Sequence, residues 1–117
     1  MQKFILTVDN VSIEADADNT DIAQEFISRL PLTLKMRRYG DREYYIRIPA
    51  LTKNGNALDD YENGDVTFYT QGPSLAIFFD KAGISSQPDL IRLGKITSDL
   101  SVFKNFGEEI SIKIDVK

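Results

Sequence analysis

The side chains that do most enzyme chemistry are missing from this 117-residue chain, which has no His and no Cys. That excludes thiol nucleophiles, thiolate metal sites and disulfides, and it removes the usual general base. Chemistry must come from Arg, Lys, carboxylates, Tyr, Ser or backbone amides. Three arginines crowd one stretch, Arg37, Arg38 and Arg42, with Lys35 beside them. A guanidinium offers five N–H donors in a rigid fork and stays charged, so it can polarise a carbonyl or an amide nitrogen without a cofactor. The cluster has two readings: a solvated hairpin tip, or a contact point for an acidic ligand or partner. A second cluster is acidic: Asp59, Asp60, Glu62 and Asp65. A calcium loop needs alternating oxygen ligands closed by a Glu, and eleven residues beyond Asp60 stands Gln71. The stretch therefore reads as a loop, in which Tyr61 either anchors the chain or lines a cleft. No glycine loop suited to phosphate is present, and neither a metal nor a cofactor is implied.

The elements that hold these groups are mostly strands. Ile, Phe, Thr, Val and Tyr together supply 37 residues, a β-leaning mixture. Charged residues make up 27% and hydrophobic ones 42%, as in an ordinary globular domain. The net charge of −4 argues against nucleic acid as a partner, since affinity for it comes from cation–phosphate contacts. No apolar run is long enough to span a bilayer.

Period-two alternation marks the strands. Phe4, Leu6 and Val8 share one face of the first, and Val11, Ile13 and Ala15 one face of the second. Asp9-Asn10 between them suits a tight hairpin, because both residue types tolerate positive φ. Asp18, Asn19, Thr20 and Asp21 form a capping cluster for one main helix. Its apolar stripe is Ile22, Ala23, Phe26, Ile27 and Leu30, and Pro31 stops it. Leu32, Leu34 and Met36 alternate with Thr33, Lys35 and Arg37. Tyr44, Ile46 and Ile48 alternate with Glu43, Tyr45 and Arg47. A polar connection from Pro49 to Asn63 follows, long enough to suggest function. Val66 to Tyr69 and Leu75 to Phe79 give two more strands, the second apolar on both faces and so covered on both sides. Ile91, Leu93 and Ile96 mark the seventh, with Gly94 a bulge or close approach. Leu100 to Phe106 suggest a short helical turn. Ile110, Ile112, Ile114 and Val116 form the inner face of the last strand. Leu30, Leu34, Phe68, Ile77 and Ile112 are expected in the core.

Eight mostly antiparallel strands with one main α-helix and a short helical turn predict a mainly β fold, a closed antiparallel eight-stranded barrel over residues 1–117. Closure would pair the first strand with the last and remove both edges. The alternation then turns Arg37, Tyr45, Arg47, Tyr69 and Phe78 outward, where Tyr45, Tyr69 and Phe78 either form an aromatic floor with Arg37 at its edge or pack under the long loop and the short helical turn.

The order of elements is similar to that of the cyclophilin barrel, and more closely to compact bacterial cyclophilin-like domains. The segments that carry the resemblance are Arg29 to Leu34, Gly64 to Asp80 (GDVTFYTQGPSLAIFFD) and Leu90 to Leu100 (LIRLGKITSDL). Cyclophilins are peptidyl-prolyl isomerases, in which an Arg hydrogen-bonds the prolyl amide, an apolar pocket holds the ring and polar groups hold the flanking backbone. Such a bond weakens the conjugation behind a barrier of about 18–20 kcal/mol. In the matching region, Lys35 to Ile46, the resemblance implies Arg37 or Arg38 as the catalytic group. Tyr45, Arg47, Tyr61, Tyr69, Gln71 and Phe78 are the candidate ligand-binding residues around it. The family's Phe-Met-x-Gln segment is absent, as is its Trp, and Gln71-Gly72 lies in a different connection.

The resemblance therefore implies a cyclophilin-like binding domain with a cleft sized for a peptide or small ligand and little or no isomerase activity. The alternative is an active isomerase using an Arg beside an aromatic pocket. A proline-containing peptide or protein is the expected partner, with no nucleic acid and no membrane, and the oligomeric state is open. Met1 leads directly into a strand, which favours a cytoplasmic protein, although a secreted chain with a trimmed signal would read the same way.

Overall fold

The computed structural model describes residues 2–117. Eight strands, β1 (Lys3–Val8), β2 (Val11–Ala17), β3 (Leu32–Tyr39), β4 (Glu43–Arg47), β5 (Asp65–Tyr69), β6 (Ser74–Phe78), β7 (Leu90–Ile96) and β8 (Glu109–Val116), accompany a helix α1 (Asp21–Ser28) and a 3-10 helix (Leu100–Asn105). The strands close in the order β1-β2-β7-β5-β6-β4-β3-β8, every pair antiparallel. The ring is sealed by β1 against β8, from Phe4 opposite Val116 to Val8 opposite Ile112. Val8 pairs with Val11 across a two-residue turn in which Asp9 takes φ 52°.

The barrel fills with one side chain from every second position, as strand geometry requires. Phe4, Leu6, Ile13, Met36, Tyr44, Leu75, Ile77, Leu93, Ile112 and Ile114 are all buried in it. Helix α1 is capped by Thr20, whose hydroxyl accepts from the Ala23 amide at 3.3 Å, and it packs Phe26 edge-on against Phe4 at 5.8 Å. The same region explains Gly94. A Cβ there would sit 2.6 Å from the Asp16 carbonyl oxygen and 2.8 Å from the Phe4 ring. The 3-10 helix contributes Phe103, which stacks on Phe79 at 5.8 Å.

Some expectations need correction. Helix α1 ends at Ser28, not Leu30, and the half-buried Leu30 packs against the core from beyond the helix. Leu34 is also half-buried, whereas Phe68, Ile77 and Ile112 are buried as expected. Val116, the last residue of β8, is 45% exposed rather than inside. No helix among the described residues is long and apolar enough to cross a membrane.

The outer face of β5 and β6 is not solvated. The connection after β4 returns along the barrel wall, with Ala57 bridging to Ile91 and the Leu58 amide donating to the Leu90 carbonyl at 2.7 Å. It lays Tyr61 on Phe78, with ring centroids 4.0 Å apart. Tyr61, Ala76, Phe78 and Leu90 form a second buried cluster outside the barrel. The sixth strand is thus apolar on both faces because it has a core on each.

Candidate functional site

Strand register sets the order of side chains across the outer wall. One row runs Arg37, Tyr45, Ala76 and Thr67, across β3, β4, β6 and β5. The row on one side of it runs Tyr39, Glu43 and Phe78. The row on the other side runs Arg47, Ser74, Tyr69 and Leu90. A cleft of about 320 Å³ lies over these rows. Tyr39, Tyr45 and Tyr69 form its aromatic walls, Ala76 and Leu90 its floor, and Arg42, Glu43 and Gln87 one polar side.

That polar side is built around one ion pair. Glu43 is only 7% exposed, a costly position for a carboxylate unless it is paired. Arg42 supplies the partner, donating to Glu43 Oε1 from Nε at 2.7 Å and from Nη2. The other guanidinium donors reach Ser85 Oγ at 3.0 Å and Gln87 Oε1 at 3.2 Å. Its cation lies over the rings of Tyr39 at 4.8 Å and Phe78 at 5.4 Å. Arg42 therefore ties the β3–β4 turn to the segment before β7. It is embedded, and not part of a solvated hairpin tip. Burial raises the Glu43 carboxyl above its usual value, with Arg42 pulling against it. Glu43 lines the cleft with its carboxylate held by Arg42.

The two arginines singled out from the sequence have opposite fates. Arg37 stands exposed on the outer face opposite Tyr45, with no ion pair among the described residues. Arg38, one residue on, faces the other way. Its guanidinium donates to the carbonyls of Gly40 at 2.7 Å and Phe106 at 2.9 Å, and to the Tyr44 hydroxyl at 3.3 Å. It also lies over the Phe79 ring. Arg38 is thus a brace between β3 and the 3-10 helix, away from the cleft.

Of the other candidates, Tyr45 and Tyr69 line the cleft, and exposed Arg47 sits at its margin beside Ser74. Phe78 and Tyr61 lie beneath it as a buried stack, and the Tyr61 hydroxyl donates to the Asp80 carbonyl at 3.1 Å. Tyr61 anchors the loop. Gln71 is exposed in the turn between β5 and β6, outside the lining. Tyr39, Arg42, Glu43 and Gln87 were not singled out for the cleft. The adjacent pair Arg42-Glu43 was the one available signal, because a carboxylate at an outward strand position next to an Arg can carry it under a covering loop. In the acidic stretch, Asp60 accepts from the amides of Tyr61 and Gln87. Asp65 is buried against Lys95 at 3.2 Å. A larger, more polar recess near the start of α1 includes Asp18 and Arg92, which are paired with each other at 2.8 Å.

The cleft brings together three tyrosines, an apolar floor and the Arg42–Glu43 pair, with Arg37 and Arg47 in register beside Tyr45 and Ser74. Among curated protein sequences no relative matches the chain. Among solved structures it is similar to the solution structure of the hypothetical protein AF2241 from Archaeoglobus fulgidus. The TM-score is 0.71 at 19% identity, over 97% of this chain and 93% of that one, a likeness of fold alone. The family profile described as Cyclophilin-like family matches residues 6–115, and with the barrel, helix and cleft in place this chain belongs to the Cyclophilin-like family.

Proposed function

We propose that this domain is a binding module that takes a peptide or a small ligand in the Tyr39–Tyr45–Tyr69 cleft, with little or no isomerase activity. The observation that carries this reading is the state of Arg42. Rotating a prolyl bond by the chemistry described above needs a guanidinium free to donate to the amide nitrogen. The one guanidinium in the cleft is engaged by Glu43, Ser85 and Gln87. What remains open is aromatic surface, which suits recognition.

The test has two measurements on the same protein. In a protease-coupled assay on proline peptides, the rate should match the uncatalysed one. In a ¹H–¹⁵N titration, ligand should shift the amides of Tyr45, Tyr69 and Gln87. A robust isomerase rate would overturn the proposal.

The second reading, an isomerase, has one observation in its favour: Arg37 is exposed, unpaired among the described residues and directly opposite Tyr45. A substantial rate abolished by Arg37→Ala would establish it.

A further inference from the structure

The chain's charges are unevenly partnered. Of its 14 Lys and Arg residues, eight make ion pairs: Lys3, Arg29, Arg38, Arg42, Arg92, Lys95, Lys104 and Lys117. Of the six without an ion pair among the described residues, four share one surface. Lys35 and Arg37 on β3, Arg47 on β4 and Lys113 on β8 are all exposed on the outer face. Glu109, opposite Arg37, is the acid on β8 nearest in register, and it forms no ion pair with Arg37. A protein of net charge −4 thus keeps a cationic flank, and that flank adjoins the aromatic cleft.

Strand geometry fixes the spacing. Arg37 is the cross-strand neighbour of Tyr45, about 5 Å away between Cβ atoms. Arg47 is two positions along from Tyr45 on the same face, about 7 Å away. An extended ligand with an apolar side chain on Tyr45 would place groups one or two residues distant over both guanidinium forks. Arginine forks pair best with carboxylates, two bonds at a time. Inside the cleft Arg42 neutralises Glu43, so the unpaired positive charge lies on the flank. We propose that the cleft and its flank bind an acidic peptide segment, an apolar residue flanked within two positions by Asp or Glu. This deepens the binding reading above and rests on it. Four cations on a net-acidic protein are too few to hold a long phosphate backbone, whose affinity grows with each phosphate neutralised.

The test uses three blocked peptides that share a Pro-Leu centre and differ only in flanking Glu, Gln or Lys, titrated into ¹⁵N-labelled protein. The Glu peptide should shift the Tyr45, Tyr69 and Gln87 amides and bind about tenfold tighter than the Gln peptide, the scale expected of two exposed charge contacts. Added salt should erase that advantage. The double variant Arg37→Glu/Arg47→Glu should lose the preference for the Glu peptide, with unchanged amide resonances of the barrel core showing that it is folded. Equal affinity for Glu and Gln peptides would overturn this inference and leave the binding cleft standing. No shift in the cleft with any peptide would overturn both. Single-stranded RNA displacing the Glu peptide at lower concentration would overturn the acidic-peptide assignment in favour of a polyanion site.

Discussion

The wall formed by β1, β2 and β8 and the wall formed by β5 and β6 are the same antiparallel sheet in different surroundings. The first faces water outside and core inside, and its residues alternate accordingly: β8 runs Glu109 exposed, Ile110 buried, Ser111 exposed, Ile112 buried. The second is covered by the loop carrying Tyr61, and Leu75 to Phe78 are buried at every position. Covering a wall erases the alternation that reveals it. The cleft lies beside this covered wall, where Ser85 and Gln87 of the segment before β7 hold the Arg42–Glu43 pair and three tyrosines stand around it. The site lies where the pattern of the barrel is least regular.

If the covered wall is a second core, a residue pointing away from the barrel should matter as much as one pointing in. Phe78→Ala is expected to cost about 3–5 kcal/mol, the range for removing a buried ring, and Ile112→Ala about 2–5 kcal/mol. Urea unfolding of both checks this. A cost below about 1 kcal/mol at Phe78 would mean that Tyr61 and its loop lift readily, and the distinction between the walls would fail.

The contrast explains what the sequence reveals. The closed barrel, the Asp9-Asn10 hairpin, the Thr20 cap and the β1–β8 seam follow from alternation and turn chemistry, which act locally. The double burial of β6 was also legible, because five apolar residues in succession cannot face water. What lay over Phe78 was not, since Tyr61 is 17 positions away in sequence and pairs only through the fold. Arg38 misled for a different reason. Alternation itself turns it to the Met36 side of β3, yet the expectation that charge faces solvent gave no reason to look for carbonyls there.

Gly94 sits where α1, β1 and β7 meet, and neither it nor the residues its Cβ would meet line the cleft. Gly94→Ala is expected to cost about 1–3 kcal/mol through overpacking, because the nearest obstacle is the Asp16 backbone carbonyl. Thermal unfolding would show it, and ligand binding by the remaining folded protein should be unchanged.

The two arginines sharpen the comparison between structure and surface within one strand. Arg38→Met strips donors from the Gly40 and Phe106 carbonyls and should cost about 1–3 kcal/mol, with binding at the cleft retained. Arg37→Ala should change stability by less than about 0.5 kcal/mol and weaken the acidic peptide. The reverse pattern, a stable Arg38 variant that no longer binds, would move the site to the barrel's other end.

The smallest effect separates two carboxylates. Burial pushes the Glu25 carboxyl up, but the amides of Lys53 and Thr52 and the Thr52 hydroxyl outweigh it, and the group sits below its usual 4.5. Its stabilisation is complete above pH 4.5 and is lost as pH falls through the folded-state value. Glu43 is shifted the other way, chiefly by burial and against Arg42. The folded state binds its proton more tightly than the unfolded chain does. Its contribution is therefore most favourable below pH 4.5 and declines as pH rises through the higher folded value. Urea midpoints across acid pH should show Glu25→Gln flattening the loss of stability below 4.5. Glu43→Gln should instead flatten the decline above it. A Glu43→Gln profile parallel to that of the parent protein above pH 4.5 would show that Arg42 fully offsets burial, and the covered wall would then impose no charge penalty on its cleft.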